Sequence, residues 1–304
     1  MDTLILDRTG VGIEQEAWIV NAHGEPVTII NGQPAYLAVR NQIQQQTGED
    51  PTYLSAELLS CQAEVKTLEL HSSANQAISE IKERLALVDS ALGSLQNGYH
   101  LETVAYKDMR GVDLVAADPN APSYRRVQEW SSTDAGRELL RKTAICSMQL
   151  CVSDGLSTLD QQEKLELLAR CYGYLSKHYE EIQELNAHSP RLGIIEDLII
   201  SVKRDNFNKL GLLADSNRSE TWITRPDSLS VSDLIGWYLA HSGVETISEM
   251  DSKDAHGLLL KGKMRQGTVD LVCMEHRWAD ADTNLSLVAG KIHDMHKRMM
   301  DACH

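Results

Sequence analysis

Residues 11–20 read VGIEQEAWIV, and the alternation in this run limits the fold more than any other stretch of the chain. A strand sends successive side chains to opposite faces, so Val11, Ile13, Ala17 and Ile19 share one face while Glu14 and Glu16 share the other. Two carboxylates placed side by side repel. Either their face is solvated or something positive lies between them.

Other runs repeat the arrangement. In CQAEVKTLEL (61–70), Gln62, Glu64 and Lys66 fall opposite Ala63, Val65 and Thr67. In ICSMQLCVS (145–153), Ser147, Gln149 and Cys151 fall opposite Met148, Leu150 and Val152, and in TVDLVCMEHRW (268–278), Glu275 and Arg277 share a face. PVTII (26–30) is a further strand-like run. Apolar residues at three- and four-residue spacing predict amphipathic helices over 74–95, 160–185 and 285–300. Strands and helices do not alternate as regular βαβ units. The expected fold is therefore α+β, one domain over 1–304, with a mainly antiparallel sheet and helices packed on its apolar face. Residues 193–215 fit either a helix or an inserted loop.

The polar stripes have two readings. They are the water-facing side of a half-covered sheet, or they floor a cavity in which Glu14, Glu16, Glu64 and Glu275 converge on hard divalent cations, which prefer oxygen ligands. Spacing alone does not choose between these. Charge narrows the partners: 29 Lys and Arg stand against 44 Asp and Glu, a net −15, which disfavours nucleic acid phosphates and anionic lipid. With no basic-then-apolar leader and no run of eighteen apolar residues, the expectation is a cytoplasmic protein without a membrane partner. The six cysteines form no CxxC pair and read as buried small hydrophobes. There is no HExxH, and His293 with His296 reads as a surface pair; nor is there a GxxxxGK[ST] loop to cradle a nucleotide.

Six short segments, in order, carry a resemblance. GIEQE (12–16) is similar to the opening strand of the glutamate–cysteine ligases and related carboxylate–amine ligases. AELLSCQAEVKT (56–67) resembles that family's acidic segment, with Glu57 and Glu64 at its two acidic positions. TAICSMQLCVS (143–153) resembles its central strand in the version bearing Gln. NAHSP (186–190) and SNRSETW (216–222) resemble the elements that follow, and MEHRWAD (274–280) the Glu-x-Arg strand near the end. Cys151 departs from the Asn or His usual in the family and leaves the amine substrate open.

The resemblance implies a glutamine synthetase-like catalytic fold whose sheet forms a funnel-shaped active site. It also implies an ATP- and Mg2+-dependent ligase that joins an amino-acid carboxylate, the glutamate γ-carboxylate foremost, to cysteine or another amine through an acyl phosphate. Glu14, Glu16, Glu64, Glu275 and Gln149 would hold the metal. Arg277, Arg218 and Glu57 would be catalytic, with Glu57 also able to hold metal. Tyr124, Arg125 and Trp222 would line the substrate pocket. Partners would be small molecules, with self-association left open. The competing readings are a non-catalytic relative that binds a nucleotide or a protein, and a metal-dependent hydrolase using the same carboxylates.

Overall fold

A computed structural model describes residues 9–104, 107–120, 125–144, 146–154 and 160, individual helical positions between 162 and 181, and residues 260–265, 268–280 and 285–303. Its centre is β1 (Thr9–Val20), which pairs with β5 (Gln62–Lys66) on one side and β7 (Ser147–Asp154) on the other. β4 (Leu54–Ala56) extends the sheet beyond β5, while β9 (Thr268–Asp280) and β8 (Leu260–Arg265) extend it beyond β7. β6 (His100–Glu102) pairs with the end of β1. Every pairing among these described strands is antiparallel, as the irregular order of strands and helices predicts.

The run at 26–30 yields only β2 (Ile29–Ile30), which pairs with β3 (Gln33–Pro34) across a two-residue turn. Asn31 (φ 51°) and Gly32 (φ 77°) both take left-handed backbone there, which matches the twist of a tight hairpin. The run at 61–70 likewise gives a strand only to Lys66. Beyond it, Thr67 and His71 return to β1 through backbone hydrogen bonds with Ile13 and Val11.

The apolar parity of β1 packs against helices as its alternation requires. Val11, Ile13 and Ile19 join Ala63, Val65, Met148 and Leu150 in one buried cluster with Ile78, Ile81, Val88 and Leu92 of α2 (Ala74–Leu95). α1 (Ala35–Thr47) supplies Tyr36, Val39 and Ile43, and α5 (Leu285–Cys303) supplies Ile292, Met295 and Met299. Truncating a fully buried member such as Ile81 to Ala is worth about 2–5 kcal/mol. Ser73 caps α2 by accepting from the Gln76 amide. α1 ends where Gly48, at φ 79°, donates its amide to the Gln44 carbonyl.

A second cluster joins Trp18, Leu59, Cys61 and Cys146 with Val127 of α3 (Arg125–Ser131) and Leu140 of α4 (Asp134–Thr143). Trp18 shares the parity of Glu14 and Glu16, so this cluster closes one end of the carboxylate face. The reading of His293 and His296 as a surface pair is corrected: His296 is fully buried, and burial pushes its imidazole down to about 4, so it sits neutral inside α5's packed face. Among the described residues no helix is long and apolar enough to cross a membrane.

Candidate functional site

Strand register builds the site. Residues directly opposite one another in an antiparallel pair share a face. Glu16 stands opposite Glu64, and Glu64 stands opposite Ser55 of β4; Glu14 stands opposite both Lys66 and Gln149. One step further along, Gly12 faces Cys151, which in turn faces Glu275 of β9. Acidic positions from β1 and β5 thus fall in adjacent rows at the middle of the sheet.

Glu57 reaches the same place from the loop between β4 and β5. That loop is fixed from within: the Leu59 amide donates to Gln62 Oε1 at 3.2 Å, and the Ser60 hydroxyl donates to the Thr28 carbonyl at 2.7 Å. The Ser60 amide donates to the Val115 carbonyl, while its own carbonyl accepts from the Tyr36 amide. Carboxylate oxygens of Glu16, Glu57 and Glu64 all lie within 4.8 Å of one another.

Three carboxylates at that spacing do not all stay ionised without a counter-charge. Burial pushes Glu64 up to about 7, the charges of Glu14 and Glu16 push in the same direction, and Lys66 and a hydrogen bond with Glu57 oppose them. Glu16 itself is buried and accepts a hydrogen bond from Gln149 Nε2 at 3.1 Å, which orients its carboxylate. The buried Cys146 thiol accepts from Gln62 Nε2 at 3.7 Å. Burial first, and Glu16 and Glu57 after it, hold that thiol well above its ordinary range, so it stays protonated beside the carboxylates.

The donor set is all oxygen, mostly carboxylate, and carries a shareable proton that a cation can replace. It fits magnesium or another hard divalent ion far better than a soft metal. The ends of this face are closed differently. Trp18 is fully buried at one end and donates its indole Nε1–H to the Val104 carbonyl at 2.9 Å. At the other end Leu70 lies over the two glycines of β1: a Cβ on Gly10 would meet Leu70 Cβ at 2.4 Å, and one on Gly12 would meet Leu70 Cδ2 at 3.3 Å. Gly10 and Gly12 are thus small because another side chain needs their space. A separate cavity of about 650 Å3, lined by Gly24, Thr28, Lys107, Asp108 and Arg110 among others, has its cations engaged internally, Lys107 with Glu102 and Arg110 with Asp108.

Of the residues picked from sequence, Glu14, Glu16, Glu57, Glu64 and Gln149 come together. Glu275 and Arg277 lie on β9, two strands from β1, with their side chains outside the described residues. Between the pairs Met148–Ala279 and Leu150–His276 the register shifts, so positions 277 and 278 both oppose Gln149. Such a bulge interrupts strict alternation near Arg277. Tyr124, Arg218 and Trp222 lie outside the described residues, as does the side chain of Arg125, whose backbone opens α3. Residues 193–215 are outside them too. Sequence reasoning put Lys66 on the Glu64 face without giving it a role, and it passed over Ser55; a lone lysine alternating with acidic positions was the available signal.

No family model matches the chain, and no curated protein matches it. Among solved structures, a bifunctional glutathione synthetase from Pasteurella multocida matches with a TM-score of 0.59 and 14% identity, covering 98% of this chain and 39% of that one. A glutamate–cysteine ligase from Francisella tularensis in complex with AMP matches with a TM-score of 0.38 and 14% identity, covering 56% of this chain and 34% of that one. The first match is a likeness of fold to part of a larger protein, of which this chain spans about two fifths.

Proposed function

We propose that this chain is an ATP- and Mg2+-dependent carboxylate–amine ligase of the cytoplasm, with a glutamine synthetase-like, funnel-shaped site. Its substrates would be an amino-acid carboxylate, the γ-carboxylate of glutamate foremost, and cysteine or another amine. The observation that carries this reading is the trio Glu16, Glu57 and Glu64 with oxygens within 4.8 Å. The six ordered sequence segments support it, and so does the shared fold with part of a protein described as a bifunctional glutathione synthetase.

Bound magnesium and ATP would supply a phosphoryl donor whose charge is already partly neutralised. Glu16, Glu57 and Glu64 hold the cation, and Glu14 and Glu275 extend the ligand set along the strands. Gln149 fixes the orientation of Glu16, which is the kind of outer contact that tunes a metal site. Lys66 adds a positive charge opposite Glu14. Arg277 and Arg218 draw charge from the transferred phosphoryl group and the substrate carboxylate through their donor forks. Tyr124, Arg125 and Trp222 line the amino-acid pocket.

A substrate carboxylate oxygen attacks the γ-phosphorus, the bond to ADP breaks, and a mixed anhydride forms. The amine nitrogen then attacks the acyl carbon, phosphate leaves, and the amine gives up its proton. Crowding of Glu57 into the trio makes holding the cation its first task, with reception of that proton a secondary one.

The test is ADP release by purified protein with MgATP, glutamate and a panel of amines, with product masses read in parallel. The reading expects ADP only when all three are present, a product mass equal to carboxylate plus amine minus water, and no ADP from Glu64→Gln. ADP formation in Glu64→Gln equal to that of the parent would overturn it.

A further inference from the structure

Along the carboxylate face of β1 the two ends differ in what they can take. At one end Trp18 is fully buried inside its own cluster, so that end is filled. At the other, Gly10 and Gly12 carry no side chain and Leu70 lies over them. A Cβ on Gly12 would touch Leu70 Cδ2 at 3.3 Å, and one on Gly10 would collide with Leu70 Cβ. Leu70 itself stays 53% exposed. The floor of the face therefore passes from Glu16 and Glu14 to an open apolar surface within one strand.

Single exposed leucines are common on protein surfaces and carry no message by themselves. This one is held in place. The Thr67 hydroxyl accepts from the Ile13 amide at 3.1 Å, and His71 exchanges backbone hydrogen bonds with Val11 at 2.8 and 2.9 Å. Glu80 of α2 accepts from the Leu68 amide at 3.1 Å, and its other oxygen lies 2.5 Å from His71 Nε2. Arg84, one turn further along α2, donates to Glu80 at 3.4 Å. Residues 67–71 are thereby clamped on both sides of Leu70, so the backbone that carries this leucine is set before any ligand arrives.

We propose that Leu70, over Gly10 and Gly12, receives the nucleobase of the nucleoside triphosphate, laid flat on the leucine with its phosphates running toward Glu16, Glu57 and Glu64. This placement rests on the reading of that trio as a magnesium–ATP site. Reach supports it: at roughly 3.4 Å per residue, Gly12 lies about 14 Å and Gly10 about 20 Å along β1 from Glu16. An extended triphosphate and ribose cover such a span. The substrate carboxylate and the amine must meet at the transferred phosphoryl group beside the cation, so neither lies that far away. Of the reactants, the base is the part that is both remote from the reacting atoms and apolar on its faces. Being uncharged, it also suits the end of the face where β1 offers glycines in place of carboxylates.

The experiment titrates Mn2+–ATP and Mn2+–tripolyphosphate separately into the full-length chain by calorimetry, for the parent, Leu70→Ala and Leu70→Gln. Both variants should lose about 10-fold in ATP affinity, the worth of an apolar contact of this size, and keep the parent's affinity for tripolyphosphate. Leu70→Gln preserves the length of the side chain over the glycines and decides the matter if Leu70→Ala fails to fold. ATP affinity equal in parent and variants overturns the placement of the base, and so does an equal loss of both ligands, which would mean that Leu70 acts on the shape of the phosphate site. Either result leaves the metal–phosphate reading standing. A parent that binds neither ligand overturns that reading and this placement together.

Discussion

Replacing Glu64 by Gln is expected to stabilise the cation-free protein at neutral and alkaline pH while abolishing its affinity for a divalent ion. Burial, and then the neighbouring Glu14 and Glu16, raise the Glu64 carboxyl from 4.5 to about 7. The folded state therefore binds this proton more tightly than the unfolded state does. Its contribution is fully present below the unfolded value of 4.5 and is lost as pH rises through about 7. Moving a carboxyl over that interval corresponds to roughly 3 kcal/mol. The amide that Glu64→Gln introduces is neutral at every pH, so the stability of the variant minus that of the parent should climb by about this amount between about pH 5 and about pH 8. Urea denaturation of both proteins across this range, with chelator present, measures the difference directly. Added Mn2+ should then stabilise the parent at the upper end of the range by mass action and leave the variant unmoved. A difference that stays flat with pH would refute the crowding of carboxylates on which the argument rests.

Other perturbations probe the same neighbourhood. Lys66→Met should tighten Mn2+ binding measured alone, because a like charge leaves the site, and weaken binding of the Mn2+–ATP complex, because a positive charge beside the proposed triphosphate site is removed; calorimetric titrations distinguish the two. Gln149→Leu should lower Mn2+ affinity by about 10- to 100-fold without unfolding the protein, since Glu16 loses the donor that orients its carboxylate; electron paramagnetic titration of free Mn2+ reads this. Gly10→Ala, whose Cβ would meet Leu70 Cβ at 2.4 Å, should destabilise by about 1–3 kcal/mol in urea and be rescued in part by Leu70→Gly.

The sheet was legible because alternation is a two-residue code that burial enforces. Once Ile13 and Val65 must face helices, Glu14 and Glu64 must face away, and antiparallel pairing brings the acidic positions into neighbouring rows. α2 was equally plain, its ends at Ala74 and Leu95 following the apolar stripe. α1 escaped notice because its second half, QIQQQT, offers only Ile43 to the core. β4, three residues long, joins the sheet by pairing with β5, which no local pattern announces. The approach of Glu57 to Glu64 was reached through a motif; the loop hydrogen bonds of Leu59 and Ser60 that bring it there have no signature in the sequence. His296 was misjudged because a histidine's burial depends on which face of α5 meets the sheet, and the stripe through Ile292, Met295 and Met299 includes it.

Diffraction from Mn2+-soaked crystals, recorded at the manganese absorption edge, tests the central claim most directly. The account predicts an anomalous peak among the carboxylates of Glu16, Glu57 and Glu64, and its disappearance in Glu64→Gln. Manganese bound elsewhere on the chain, with that trio still sharing protons, would contradict it.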